Sequence, residues 1–125
     1  MSFYREKILD HYRNPRNFGE LENADTSYHL DNPLCGDVVD VYLKMRNTIV
    51  EDVRFTAEGC AISIAAMSML TDAVKNKDIA VVQSMGADDI TLLLGIPLTP
   101  SRINCALLGL TALQACLIHK NSKKK

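Results

Sequence analysis

The clearest pattern in the chain is an alternation over residues 38–45. Val39, Val41, Leu43 and Met45 fall on one side, and Val38, Asp40, Tyr42 and Lys44 on the other. That is the pattern of a strand with one face in a core. A second β-rich run, Ile49 to Thr56, follows the short polar connection Arg46-Asn47-Thr48. The spacing predicts a hairpin, and Asn47 tolerates the left-handed conformation that such turns need. Thr26 to Leu30 reads as a short edge strand. On either side of the strands the period changes. Tyr4, Ile8, Leu9 and Tyr12 recur at helical spacing over residues 3–13, with Ser2 as a cap and Asn14-Pro15 as the stop. Residues 14–25 are polar and read as a loop. From Ala61 to Lys75 the apolar positions are dense enough for a largely buried helix. Asp78 and Asp88 are placed to cap short helices over about 79–85 and 89–94. Pro97 and Pro100 separate these from a last helix, capped by Ser101 and running to about Lys120. Strands first and helices afterwards predict an α+β fold: a small antiparallel sheet of about three strands packed against several helices.

Composition narrows the function. The chain has 125 residues, 14 Lys+Arg against 15 Asp+Glu, and a net charge of −1. A length of this order suits one core, so residues 1–125 are expected to form a single domain. A main role in binding nucleic acid would call for a strong basic excess, which is missing. No apolar run approaches the roughly 20 residues of a membrane span. The first residues lack the apolar h-region of a secretory signal, so the expected setting is the cytoplasm, or an organelle for a mature protein.

In a reducing compartment cysteines are core filler, metal ligands or reactive thiols. They occur at 35, 60, 105 and 116, with no C-x-x-C pair. Cys35 lies in the loop Asn32-Pro33-Leu34-Cys35-Gly36-Asp37, where Pro33 stiffens the chain and Gly36 permits positive φ. Asp37, two residues on, points to the same side if the segment is extended. Cys60 follows Gly59 at the junction of the second long strand and the buried helix, where the helix dipole favours a thiolate. Cys105 falls in the first turn of the last helix, four residues after the Ser101 cap, where a similar but weaker dipole bias is expected, with Arg102 nearby. Cys116 lies eleven residues further on, about 16 Å along the axis at ~1.5 Å per residue, too far to share a metal. It shares an apolar face with Leu108, Ala112 and Leu113 and is expected in the core. His11, His29 and His119 share no comparable placement and are not put forward as ligands.

With these residues in view, the chain resembles the IscU/NifU-like scaffold proteins of iron–sulfur cluster assembly. The resemblance runs from Tyr4-Arg5-Glu6-Lys7-Ile8-Leu9-Asp10-His11-Tyr12 through Asn32-Pro33-Leu34-Cys35-Gly36-Asp37 and Gly59-Cys60-Ala61-Ile62-Ser63 to Ser101-Arg102-Ile103-Asn104-Cys105-Ala106. It implies that Cys35, Cys60 and Cys105 are sulfur ligands with Asp37 beside them. It implies a transient [2Fe–2S] cluster, with zinc or iron as the alternative occupant. It also implies sulfur delivered by a cysteine desulfurase and clusters passed to apo iron–sulfur proteins. Thiolates are soft ligands suited to these metals. Three of them with a hard carboxylate would hold a cluster less tightly than four, as a scaffold that must release its cargo requires.

The chain also departs from the family pattern. Asn104 stands where IscU-type members usually carry His before the third cysteine. Zinc-dependent SufU-type sulfurtransferases, the alternative reading, usually have an extra segment between the second and third cysteines. Here Cys60 and Cys105 are 45 residues apart, without room for it. The segment offered by IscU to its dedicated chaperone reads Leu98-Thr99-Pro100-Ser101-Arg102 here, which weakens the case for that partner. A third reading keeps the fold without the cluster and works through protein contacts; Asn104 favours it. Monomer and dimer both stay open.

Overall fold

The computed structural model describes residues 2–32, 36–95 and 98–123. Cys35, with Pro33 and Leu34, lies outside the described residues, as does Pro97. In chain order the elements are α1 (Ser2–Arg13), β1 (Thr26–Asn32), β2 (Asp37–Arg46), β3 (Ile49–Glu58), α2 (Ala61–Val74), α3 (Ile79–Gln83), α4 (Ala87–Leu94) and α5 (Pro100–Lys123). The strands form one antiparallel sheet in the order β1-β2-β3, with Tyr28 opposite Val41 and Val41 opposite Phe55. This is the expected α+β architecture.

The alternation in β2 is a core face. Val39, Val41 and Leu43 are buried, while Val38, Asp40, Tyr42 and Lys44 keep partial exposure. Asp37 continues the inward stripe and is itself buried. The inward positions of β3 are Val50, Val53 and Phe55. The step of three is absorbed by a ladder irregularity: Lys44 pairs with Asp52 and Met45 with Val50, so Glu51 is the extra residue. Asn47 turns the hairpin at φ 58°. The turn is tied down, because Thr48 Oγ1 donates to Asp78 Oδ2 at 2.8 Å while Ala80 N donates to Asp78 Oδ1 at 2.9 Å. These two bonds, the Ala80 N–H first, hold the Asp78 carboxyl below its ordinary pKa.

Helices α2 and α5 pack on the inner sheet face and on each other. Met67, Leu70, Leu113 and Leu117 are fully buried there, each side chain contributing about 1.5–3 kcal/mol by its removal from water. The helices meet closely at Gly109, where an added Cβ would lie 3.4 Å from Met67 Cγ and nearer still to its sulfur. On α1, His11 is buried and its Nδ1 lies 2.7 Å from Ser68 Oγ of α2. Burial, the largest cause, holds His11 below the ordinary histidine pKa, helped by the positive charge of Arg16.

Four local expectations are corrected. The segment read as loop pairs along β3: Gly19 N donates to Phe55 O at 2.8 Å and Phe55 N to Asn17 O at 3.0 Å. The rings of Phe18 and Phe55 meet edge to face at 5.3 Å. Residues 17–19 thus cover a strand edge that would otherwise present unpaired backbone groups. Ser2 is the first residue of α1 rather than its cap. Asp88 lies inside α4, whose cap is Gly86; Asp89 reaches back to accept from Gly86 N at 2.9 Å. Ser101 likewise lies inside α5. That helix starts at Pro100, whose locked φ suits the first helical position, and Ile103 N donates to Thr99 O at 2.9 Å.

Candidate metal centre

Three elements converge where the open end of the β2–β3 hairpin meets the starts of α2 and α5. Gly36 turns the chain into β2 at φ 72°, the left-handed conformation expected of it. Asp37 then enters the sheet with only 3% of its surface exposed. Across the ladder Val38 pairs with Glu58, the last residue of β3. Gly59 and Cys60 follow, with Cys60 as the N-cap of α2 in extended conformation. A Cβ on Gly59 would lie 2.7 Å from Asp37 Cγ, so the carboxyl fits over the junction only because residue 59 has no side chain.

Asp37 Oδ1 accepts the backbone N–H of Cys60 at 3.2 Å. A carboxylate thereby satisfies one of the open donors at the start of α2, where the dipole favours negative charge. Cys60 Sγ lies 3.9 Å from Asp37 Oδ2. Cys105, on α5, is buried at 8% exposure. One oxygen of Asp37 and the sulfurs of Cys60 and Cys105 all lie within 4.8 Å of one another. With α5 starting at Pro100, Cys105 falls in the second turn, and the dipole bias expected of it is correspondingly weaker.

Two thiols and a carboxylate at this separation suit zinc or an iron–sulfur cluster by donor type, since both take thiolate ligands readily. The structure thus brings together Asp37, Cys60 and Cys105, while Cys35 lies outside the described residues. Asn104 is exposed on α5.

The other candidates separate from this group. Cys116 is fully buried, and burial pushes its thiol up to about 11, against a weaker opposing bond to Thr26 Oγ1 at 3.8 Å. It is a core thiol, as expected. His29 Nδ1 bonds Asp40 Oδ1 at 2.8 Å on the exposed strand surface. The side chain of His119 is outside the description.

The sequence places Ser63 within the resemblance but assigns it no role. It is the third residue of α2, and its Oγ donates to Asp37 Oδ2 in a short hydrogen bond. Ser63 Oγ also lies 3.4 Å from Cys60 Sγ and 3.3 Å from the carbonyl oxygen of Cys105. The available signal was its spacing: side chains at the cap and three residues on share one side of a helix start.

Comparison with known proteins follows the same line. The family model of the NifU-like N terminal domain matches residues 3–125. The iron-sulfur cluster assembly scaffold protein IscU of Aquifex aeolicus is 44% identical over 120 residues, covering 94% of this chain and 76% of that protein. The zinc-dependent sulfurtransferase SufU of Bacillus subtilis is 40% identical over 130 residues, covering 90% of this chain and 88% of that protein. Among solved structures, an iron-sulfur cluster assembly scaffold protein for the SUF system from Fervidobacterium islandicum superposes with a TM-score of 0.79. It is 26% identical, over 90% of this chain and 94% of that one. By the extent of these matches, the chain belongs to the NifU-like N-terminal domain family.

Proposed function

We propose that this protein is a scaffold on which iron–sulfur clusters are built and from which they are handed on. Residues 1–125 act as one domain. Cys35, Cys60 and Cys105 offer thiolates and Asp37 a carboxylate to a transient [2Fe–2S] cluster, which is cargo; zinc or iron takes the same donors when no cluster is present. Sulfur comes from a cysteine desulfurase, and the clusters go to apo iron–sulfur proteins in the cytoplasm. The protein holds and passes on rather than catalyses. The observation that carries this reading is the convergence of Asp37, Cys60 and Cys105 within 4.8 Å from three separate elements. Among the described residues no helix is long and apolar enough to cross a membrane.

A zinc-dependent sulfurtransferase is the second reading, favoured by the 40% identity to the Bacillus subtilis protein. That alignment is 130 positions long yet takes in only 90% of this chain's 125 residues, so the relative carries residues this chain lacks. The IscU alignment needs no comparable gap, running 120 positions over 94% of the chain. Length therefore favours the scaffold. Anaerobic incubation with iron, cysteine and a desulfurase tests the choice. A scaffold gives a visible chromophore that depends on Cys35, Cys60 and Cys105. Tight zinc with faster desulfurase turnover and no chromophore favours the sulfurtransferase.

A further inference from the structure

Asp37 is held at two points. Its Oδ1 takes the Cys60 N–H, and its Oδ2 takes the Ser63 hydroxyl. One bond alone would leave the carboxyl plane free to rotate about χ2, which is broad and roughly two-fold for aspartate. Two bonds to different oxygens from a single helix start fix that plane. The open backbone at Gly59 supplies the room.

The Ser63 hydroxyl has one proton and two acceptors in reach, Asp37 Oδ2 and the Cys105 carbonyl at 3.3 Å. The Asp37 oxygen is the closer of the two, so it takes the proton. Ser63 Oγ also lies 3.4 Å from Cys60 Sγ, so the side chain borders all three members of the group. Ser63 is half-buried.

We infer that Ser63 is a positioning residue for Asp37: its hydroxyl fixes the carboxylate so that one oxygen faces the two thiols, and this sets how tightly the centre holds a divalent metal. The inference rests on the metal-centre reading above. Groups that orient a ligating side chain commonly change metal affinity by about 10–100-fold when removed. The same range applies here.

The test is zinc affinity of the reduced full-length chain, measured anaerobically by competition with a chromophoric chelator. Ser63→Ala is expected to weaken zinc by at least about tenfold, with Ser63→Thr, which keeps a hydroxyl, near wild type. In an Asp37→Ala background the same Ser63→Ala change is expected to cost nothing further, because its target is gone. Cobalt(II) supplies a second readout: Ser63→Ala moves the ligand-field bands in the direction that Asp37→Ala moves them, with the thiolate charge-transfer intensity retained. Wild-type zinc affinity in Ser63→Ala overturns the inference. So does a loss of the same size in both backgrounds, which would mark a general disturbance of the fold. A wild-type chain that binds neither zinc nor a cluster overturns the metal-centre reading itself and the inference with it.

Discussion

Cys105 and Cys116 lie on the same helix, and burial hardly separates them: 8% exposed against 0%. Their neighbours do. Cys105 sits across from a carboxylate and a second thiol. Cys116 sits in the apolar interface with a threonine hydroxyl at 3.8 Å, and its proton is held up to about 11. A cysteine count, or a burial ranking, would treat the two alike. What distinguishes them is which other elements reach the helix at that level. The start of α5 faces the hairpin end and α2. The middle faces the closed sheet.

The largest test of that contrast is a swap of alanines. Cys60→Ala or Cys105→Ala should abolish the reconstituted chromophore, read by anaerobic absorbance, whereas Cys116→Ala should leave its yield unchanged. Loss of the chromophore in Cys116→Ala would erase the distinction. Stability should respond in the opposite sense. Cys116→Ala opens a small void in a packed interface and should cost about 1–2 kcal/mol in urea denaturation. A third measurement follows the proton. Burial favours the neutral Cys116 thiol, so its folded pKa, about 11, exceeds the ordinary 9.0. The stabilisation this represents is intact below about pH 9 and is lost as pH rises towards about 11. Urea titrations across that window should show the decline in wild type and a shallower one in Cys116→Ala. The smallest effect is on the acid side and belongs to another buried group. The folded pKa of His11 lies below the ordinary 6.5, so its contribution is present above that value and fades as pH falls through it. That acid limb should persist in Cys116→Ala and flatten in His11→Asn.

The sheet was legible in the sequence because its signal is local. Val39, Val41 and Leu43 alternate, and Asn47 marks the turn between two β-rich runs. The buried character of α2 and the core role of Cys116 were legible for the same reason. The caps were less so. Gly86 and Asp89 compete with equally suitable neighbours, and the start of α5 is set by the ring of Pro100 together with Thr99, whose Oγ1 accepts from Arg102 N at 3.4 Å. The pairing of residues 17–19 with β3 was invisible, because it depends on where a distant strand lies. At the candidate site, the placement of Asp37 was half legible. It is in phase with the inward stripe of β2, so a carboxylate was already due on the core face. Ser63 had no role in the sequence reading, because only the fold shows what a serine near this helix start touches.

The position of Asp37 beside Cys60 has a consequence for how this chain can change in length. The two flank the open end of one hairpin, at the start of β2 and just past the end of β3, and meet because Val38 is registered against Glu58. Adding two residues to each strand, in opposed pairs, would lengthen the hairpin and preserve both that meeting and the face on which Asp37 lies. Adding one residue to β2 between Asp37 and the ladder irregularity would turn Asp37 to the other face, since side chains alternate with period two, and adding one to β3 alone would carry Cys60 out of register with it. The centre tolerates changes in hairpin size but is strict about their parity, and Glu51 is the odd residue that the hairpin already accommodates.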